Sequence, residues 1–215
     1  MAEALGEAAL TLYRWVGRAA TPVVKAVLER RALAGKEEPG RRNERLGRPR
    51  RPRPEGPLVW VHAASVGETV SALPLVERLV GEGFAVLVTS GTVTSARIAA
   101  DRLPAGAFHQ YVPVDLPGAI DGFLDHWRPG AALFVESEIW PTTVARTRRR
   151  GIPLVLVNAR MSQRSHLRWK RLDGLARSVF GRFTAALAQA DGDGERLSDL
   201  GVRSVTVTGN LKFDG

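Results

Sequence analysis

Seven short apolar runs, each followed by a polar turn, constrain this chain more than any other feature. They are Leu58–Val61, Ala85–Val88, His109–Val112, Ala131–Val135, Leu154–Val157, Ala185–Ala188 and Val205–Val207. Most are near-continuous rather than alternating, the pattern of strands covered on both faces. Helical patterning fills the intervals at about 68–81, 94–102, 117–127, 140–149, 164–180 and 191–200. Strand followed by helix, repeated, predicts a parallel sheet with helices on both sides. Right-handed crossovers then give an α/β, Rossmann-like, doubly wound fold over residues 57–215. In open sheets of this kind ligands bind outside the carboxyl ends of the strands, so chemistry is sought in the turn after each strand.

The first run leads into Ala63-Ala64-Ser65-Val66-Gly67-Glu68. Small residues such as Gly67 permit close backbone approach, and the helix start offers free N–H groups to an anion. Glu68 sits where the helix dipole favours a carboxylate, and a carboxylate there can accept a proton from a substrate hydroxyl. Ser65 and Glu68 also stand three apart, as in a capping box, so both readings are open. The second run is followed by Thr89-Ser90-Gly91-Thr92, suited to a phosphate, a sugar or a plain helix cap. The fourth leads into Glu136-Ser137-Glu138-Ile139-Trp140-Pro141, where two carboxylates need either an arginine or a hydroxylated ligand nearby. The fifth leads into Asn158-Ala159-Arg160-Met161-Ser162, and the seventh into Gly209-Asn210-Leu211-Lys212. Guanidinium forks such as Arg160 suit phosphate or carboxylate; capping and surface charge are the alternative.

Before this unit lies a basic stretch. Residues 1–53 hold 13 Lys and Arg against 6 Asp and Glu, so most of the net charge of +9 belongs there. Residues 1–35 read as an amphipathic helical arm in two pieces joined near Pro22, with Tyr13 and Trp15 suited to a membrane interface. Packing of that helix pair on the protein itself is the alternative. No stretch of about 18 uncharged apolar residues predicts a spanning helix. Residues 36–56, ending in Arg48-Pro49-Arg50-Arg51-Pro52-Arg53-Pro54, read as an extended basic linker because proline recurs too often for helix. The absence of cysteine excludes disulfides and thiolate chemistry. His62, His109, His126 and His166 lie far apart, so no metal site is expected, and no Gly-rich phosphate fingerprint or nucleophile elbow appears.

The string Trp60-Val61-His62-Ala63-Ala64-Ser65-Val66-Gly67-Glu68 resembles the signature of the 3-deoxy-D-manno-octulosonic acid (Kdo) transferases of lipopolysaccharide assembly. The resemblance continues, in order, through Glu44-Arg45-Leu46-Gly47, Pro113-Val114-Asp115, Glu136 to Pro141, Asn158 to Ser162 and Gly209 to Asp214. It implies the N-terminal, acceptor-binding half of a GT-B glycosyltransferase. Such an enzyme moves Kdo from CMP-Kdo to a lipid A precursor (lipid IVA) with inversion, without a cofactor or bound metal, at the cytoplasmic face of the bacterial inner membrane. By the resemblance Glu68 is the general base. Ser65, Gly67, Thr89, Ser90, Glu136, Glu138, Asn158, Arg160, Ser162, Asn210 and Lys212 are then substrate-binding candidates. The partners implied are the acceptor, CMP-Kdo through a C-terminal donor domain expected to be missing from this chain, and the membrane surface, with no nucleic acid. The chain departs from the family pattern at Thr94-Ser95 and at Thr142, which replaces an amide side chain. The rival readings are a GT-B enzyme with another acceptor and a non-catalytic module binding an anionic ligand or membrane surface.

Overall fold

The computed structural model describes residues 2–211, with side chains from Gly6 onward. Its centre is a seven-stranded, all-parallel sheet: β1 (Leu58–His62), β2 (Ala85–Ser90), β3 (Ala107–Tyr111), β4 (Ala131–Val135), β5 (Leu154–Ala159), β6 (Ala185–Ala188) and β7 (Val205–Val207). The order is β3-β2-β1-β4-β5-β6-β7, so the winding direction reverses between β1 and β4. A doubly wound sheet opens its ligand crevice at that reversal.

Ten helices are formed among the described residues: α1 (Ala2–Ala19), α2 (Thr21–Leu33), α3 (Arg42–Arg45), α4 (Val66–Gly81), α5 (Val93–Arg102), α6 (Pro117–Trp127), α7 (Pro141–Arg149), α8 (Gln163–Lys170), α9 (Asp173–Phe180) and α10 (Asp191–Leu200). The continuous apolar strands follow from burial on both faces. Leu58 and Trp60 join Phe123 and Trp127 of α6, Val179 and Phe180 of α9, and Leu200 of α10 in one core. Val59 and Val61 alternate onto the other face with Ala72 and Val76 of α4. Trp60 is fully buried, its ring 4.7 Å from Phe123 and 5.1 Å from Phe134.

The expected helix over 164–180 is two helices, α8 and α9, separated at Arg171 and Leu172. The Leu172 N–H turns back to the Trp169 carbonyl, and Asp173, pairing with Lys170 and Arg177, starts α9. The break lets α9 bury Ala176, Val179 and Phe180 while α8 buries no residue fully.

The region before β1 is more structured than an extended spacer, and that expectation is corrected for residues 37–47. A 3-10 turn at Pro39–Arg41 leads into α3. Glu37 and Glu44 are buried, paired with Arg31 and Arg41 respectively. Glu44 also accepts the Tyr111 N–H at 2.9 Å, and Glu38 the Tyr111 hydroxyl at 2.7 Å, which pins the segment to β3. Charged groups that find partners can be buried where a free spacer would stay in water. Gly47 completes the dock: at φ 72 its absent Cβ would lie 1.8 Å from the Ala119 carbonyl of α6. Only glycine fits there.

The arm splits its faces. Helix α1 packs along α9, with Leu10 buried and Gly6 so close to Gly174 that a Cβ would sit 2.1 Å from its carbonyl oxygen. The outer face exposes Leu12, Trp15, Val16 and, in α2, Val23. No described helix is long and apolar enough to cross a membrane.

Candidate functional site

Two loops face each other at the β1/β4 reversal. After β1, Ser65 caps α4, its hydroxyl accepting the Glu68 N–H at 3.3 Å. Glu68 reaches back: one carboxylate oxygen accepts the Ala64 N–H at 2.8 Å, the other the Ser65 hydroxyl at 2.8 Å. The capping box expected from spacing is therefore present. Glu68 is nonetheless only 8% exposed. Burial pushes its carboxyl above the ordinary range, against the two hydrogen bonds, and the fields of Glu136 and Glu138 push the same way. A carboxyl so raised titrates nearer neutrality, where a proton acceptor works best. Gly67 is exposed, and a Cβ there would meet open space, so packing does not demand glycine.

The opposite wall is the loop after β4. Glu136 holds a left-handed φ of 58, with its N–H donated to the Val157 carbonyl at 3.0 Å. That conformation costs a non-glycine residue about 1 kcal/mol or more and has to be held by its surroundings. Glu138 accepts the Trp140 indole N–H at 3.0 Å, and Trp140 stays partly exposed. The start of α7 is fixed from a third loop: Asp115 accepts the N–H groups of Thr142 (3.0 Å) and Thr143 (2.7 Å) and the Thr143 hydroxyl (2.6 Å). Thr142 is fully buried and its hydroxyl has no partner among the described residues.

Asn158, at φ 49, is the last residue but one of β5 and ties three strand ends together. Its carbonyl accepts from the Gln189 amide at 2.9 Å, and its side-chain oxygen from the Leu211 N–H at 3.1 Å. Its own side-chain N–H₂ is buried without a partner among the described residues. Met161 anchors the following loop by donating its N–H to Asp193 at 2.9 Å, leaving Arg160 exposed. Ser162 caps α8 and bonds Ser165. Asn210 is half-buried beside Leu211, and Lys212 lies outside the described residues.

Two expected ligand residues are corrected. Thr89 and Ser90 are fully buried. The Thr89 hydroxyl is taken by the Trp60 indole N–H at 2.8 Å and by His62 at 2.9 Å. Ser90 bonds the His109 ring at 2.9 Å. Strand β2 runs two residues further than the sequence pattern indicates, which draws both hydroxyls into the sheet. Sequence reasoning in turn missed Asp115 as the residue that positions α7. Its signal was the Pro113-Val114-Asp115 block beside a proline-started helix with two threonines. Among the described residues no cluster of His, Asp and Glu could hold a metal ion.

Fold and crevice together define a doubly wound α/β domain whose polar groups gather at the strand-end reversal, where domains of this class hold their ligands. Residues 40–215 match the family model described as 3-Deoxy-D-manno-octulosonic-acid transferase (kdotransferase), and the chain belongs to that family. It is similar to the 3-deoxy-D-manno-octulosonic acid transferase of Bordetella pertussis, 40% identical over 77% of this chain and 40% of that protein. The Rickettsia bellii transferase of the same description is 35% identical over 95% of this chain and 49% of its own length. A probable mitochondrial 3-deoxy-D-manno-octulosonic acid transferase of Arabidopsis thaliana is 39% identical over 77% of this chain and 37% of its own. The chain thus spans half or less of these relatives. A solved structure of a putative UDP-N-acetylglucosamine 2-epimerase from Listeria monocytogenes superposes with a TM-score of 0.52 at 15% identity, over 73% of this chain and 45% of that one, a likeness of fold alone.

Proposed function

We propose that this chain is the acceptor-binding half of an inverting transferase that moves Kdo from CMP-Kdo to a lipid A precursor, lipid IVA, with Glu68 as general base. The observation that carries the reading is the position of Glu68: a mostly buried carboxylate at the sheet reversal, its carboxyl raised by burial and facing a second acidic loop. Glu68 takes the proton from the acceptor hydroxyl as that oxygen attacks the anomeric carbon of Kdo. CMP departs from the opposite face with the bonding electrons. Glu136 and Glu138 accept hydrogen bonds from sugar hydroxyls, and Gly67 leaves room for the acceptor against the α4 start. The side chains of Arg160, Ser162 and Asn210 line the strand-end side, with the buried Asn158 holding it together from beneath, and Lys212 follows them in sequence. The donor is held by the further length that the relatives possess.

The arm supports a peripheral position on the cytoplasmic face of the bacterial inner membrane, since α1 and α2 keep Leu12, Trp15, Val16 and Val23 outward while α1 docks through its other face. The test is transfer of labelled Kdo from CMP-Kdo to lipid IVA by the protein that carries this chain with the remaining length of its relatives. Formation of an inverted Kdo–lipid product is the expected result. Lack of product under conditions where the Bordetella pertussis relative is assayed in parallel and works would overturn the reading.

A further inference from the structure

The end of the domain away from the strands' carboxyl ends, where α7, α9 and α10 finish, carries a second concave surface. A groove of about 820 Å³ lies between α1 and the C-terminal ends of α7, α9 and α10, and Arg14, Arg148, Arg149, Arg177, Arg182 and Arg203 line it. Glu7 is the one acidic residue in its wall among the described residues. A smaller hollow of about 190 Å³ continues it past Arg14 and Arg149 to Arg18, Arg146 and Trp15. Helix C-termini attract cations, so some arginine here is expected. The number exceeds that need. Arg182 pairs with Glu7 at 2.8 Å and Arg177 with Asp173 at 3.0 Å. Arg14, Arg148, Arg149 and Arg203 have no carboxylate partner among the described residues. At Arg14 the guanidinium is pushed below its ordinary range, first by burial and then by the fields of Arg146, Arg182 and Arg149, with the Glu7 carboxylate opposing them.

We propose that this arginine-lined groove between α1, α7 and α9 is a binding site for a phosphate-bearing group, distinct from the crevice at Glu68. Guanidinium forks bind phosphate oxygens bidentately, and an anion bound among four arginines that lack a carboxylate partner offsets the positive charge gathered there. Two sources supply that chemistry: an anionic phospholipid headgroup, for which the exposed Leu12, Trp15 and Val16 on the same helix supply an apolar neighbourhood, or a soluble phosphate compound. The site does not depend on the transfer reaction and is tested by binding alone.

The test compares the chain with an Arg149→Gln/Arg203→Gln variant and an Arg97→Gln/Arg102→Gln control. Both altered pairs include exposed positions, and the control pair lies on α5, outside the groove. One arm is co-sedimentation with phosphatidylcholine vesicles containing phosphatidylglycerol, against phosphatidylcholine alone. The other is calorimetric titration with pyrophosphate. A cation near an anionic surface contributes about fivefold in affinity, so the groove variant is expected to bind about 25-fold more weakly while the control is little changed. Loss in the vesicle arm assigns the headgroup; loss in the pyrophosphate arm assigns a soluble ligand; either supports the site. Equal loss in the control, no loss in the groove variant, or no binding of either probe by the unaltered chain overturns it. Thermal unfolding of both variants verifies that they fold.

Discussion

Removing the Asp115 carboxylate leaves two backbone N–H groups and one hydroxyl at the start of α7 without their acceptor. Loss of a helix-start acceptor of this kind costs about 1–2 kcal/mol. Asp115→Ala should therefore lower the free energy of unfolding in a urea titration by about that amount, with Asp115→Asn between it and wild type; an unchanged midpoint would mean that α7 is held by packing alone. The same carboxylate meets the Tyr13 hydroxyl, so one side chain joins the arm, the β3 exit and the acidic loop's helix. Residue type at strand ends was legible in the sequence; burial was not. Thr89 and Glu68 both lie at strand ends in polar strings, yet Thr89 is consumed by Trp60 and His62 inside the sheet. What decided between them was how far β2 pairs with its neighbours, a tertiary quantity that no local spacing encodes.

At the scale of elements, the strands and most helices could be read because apolar runs without alternation have one explanation, burial on both faces. The 164–180 helix could not be divided in advance. No proline or glycine marks Arg171 and Leu172, and the break answers to where α9 must lie for α1 to pack on it. The docking of residues 37–47 was equally hidden, since Glu37 and Glu44 look like surface charge until their arginine partners are in place. The close approach of Gly6 to Gly174 makes the arm's seat testable. Gly6→Leu should lift α1 from α9, seen as lost amide-exchange protection confined to α1 and the facing side of α9 with the sheet still protected. Unchanged protection in α1 would contradict the seat described.

For the molecule as a whole, acid should be destabilising before the carboxylates titrate. Burial lowers His62 to about 4, and burial together with the Arg41 guanidinium lowers His109 to about 3. Each is neutral in the fold while its unfolded counterpart gains a proton near pH 6.5. The stability they contribute is complete above about pH 6.5 and is lost as pH falls through that window towards the folded values, by about 1 kcal/mol per pH unit for each histidine. Urea midpoints between pH 7 and 5 should fall accordingly, and His62→Gln should flatten the slope. A flat profile in the unaltered chain would show that these rings are open to water.

In the proposed function Glu68 is a base and not only a helix cap, and Glu68→Gln separates the two roles. The amide can still accept the Ala64 N–H and bond Ser65, so the cap persists. Because burial raises the folded carboxyl above its unfolded value, wild type loses an increment of stability as pH rises through the folded pKa, and the amide does not. Measured in the protein with its relatives' full length, Glu68→Gln should lower kcat for Kdo transfer about 100- to 10,000-fold, with thermal stability at neutral pH equal to or above wild type. Near wild-type turnover would mean that Glu68 is a helix cap and not the base.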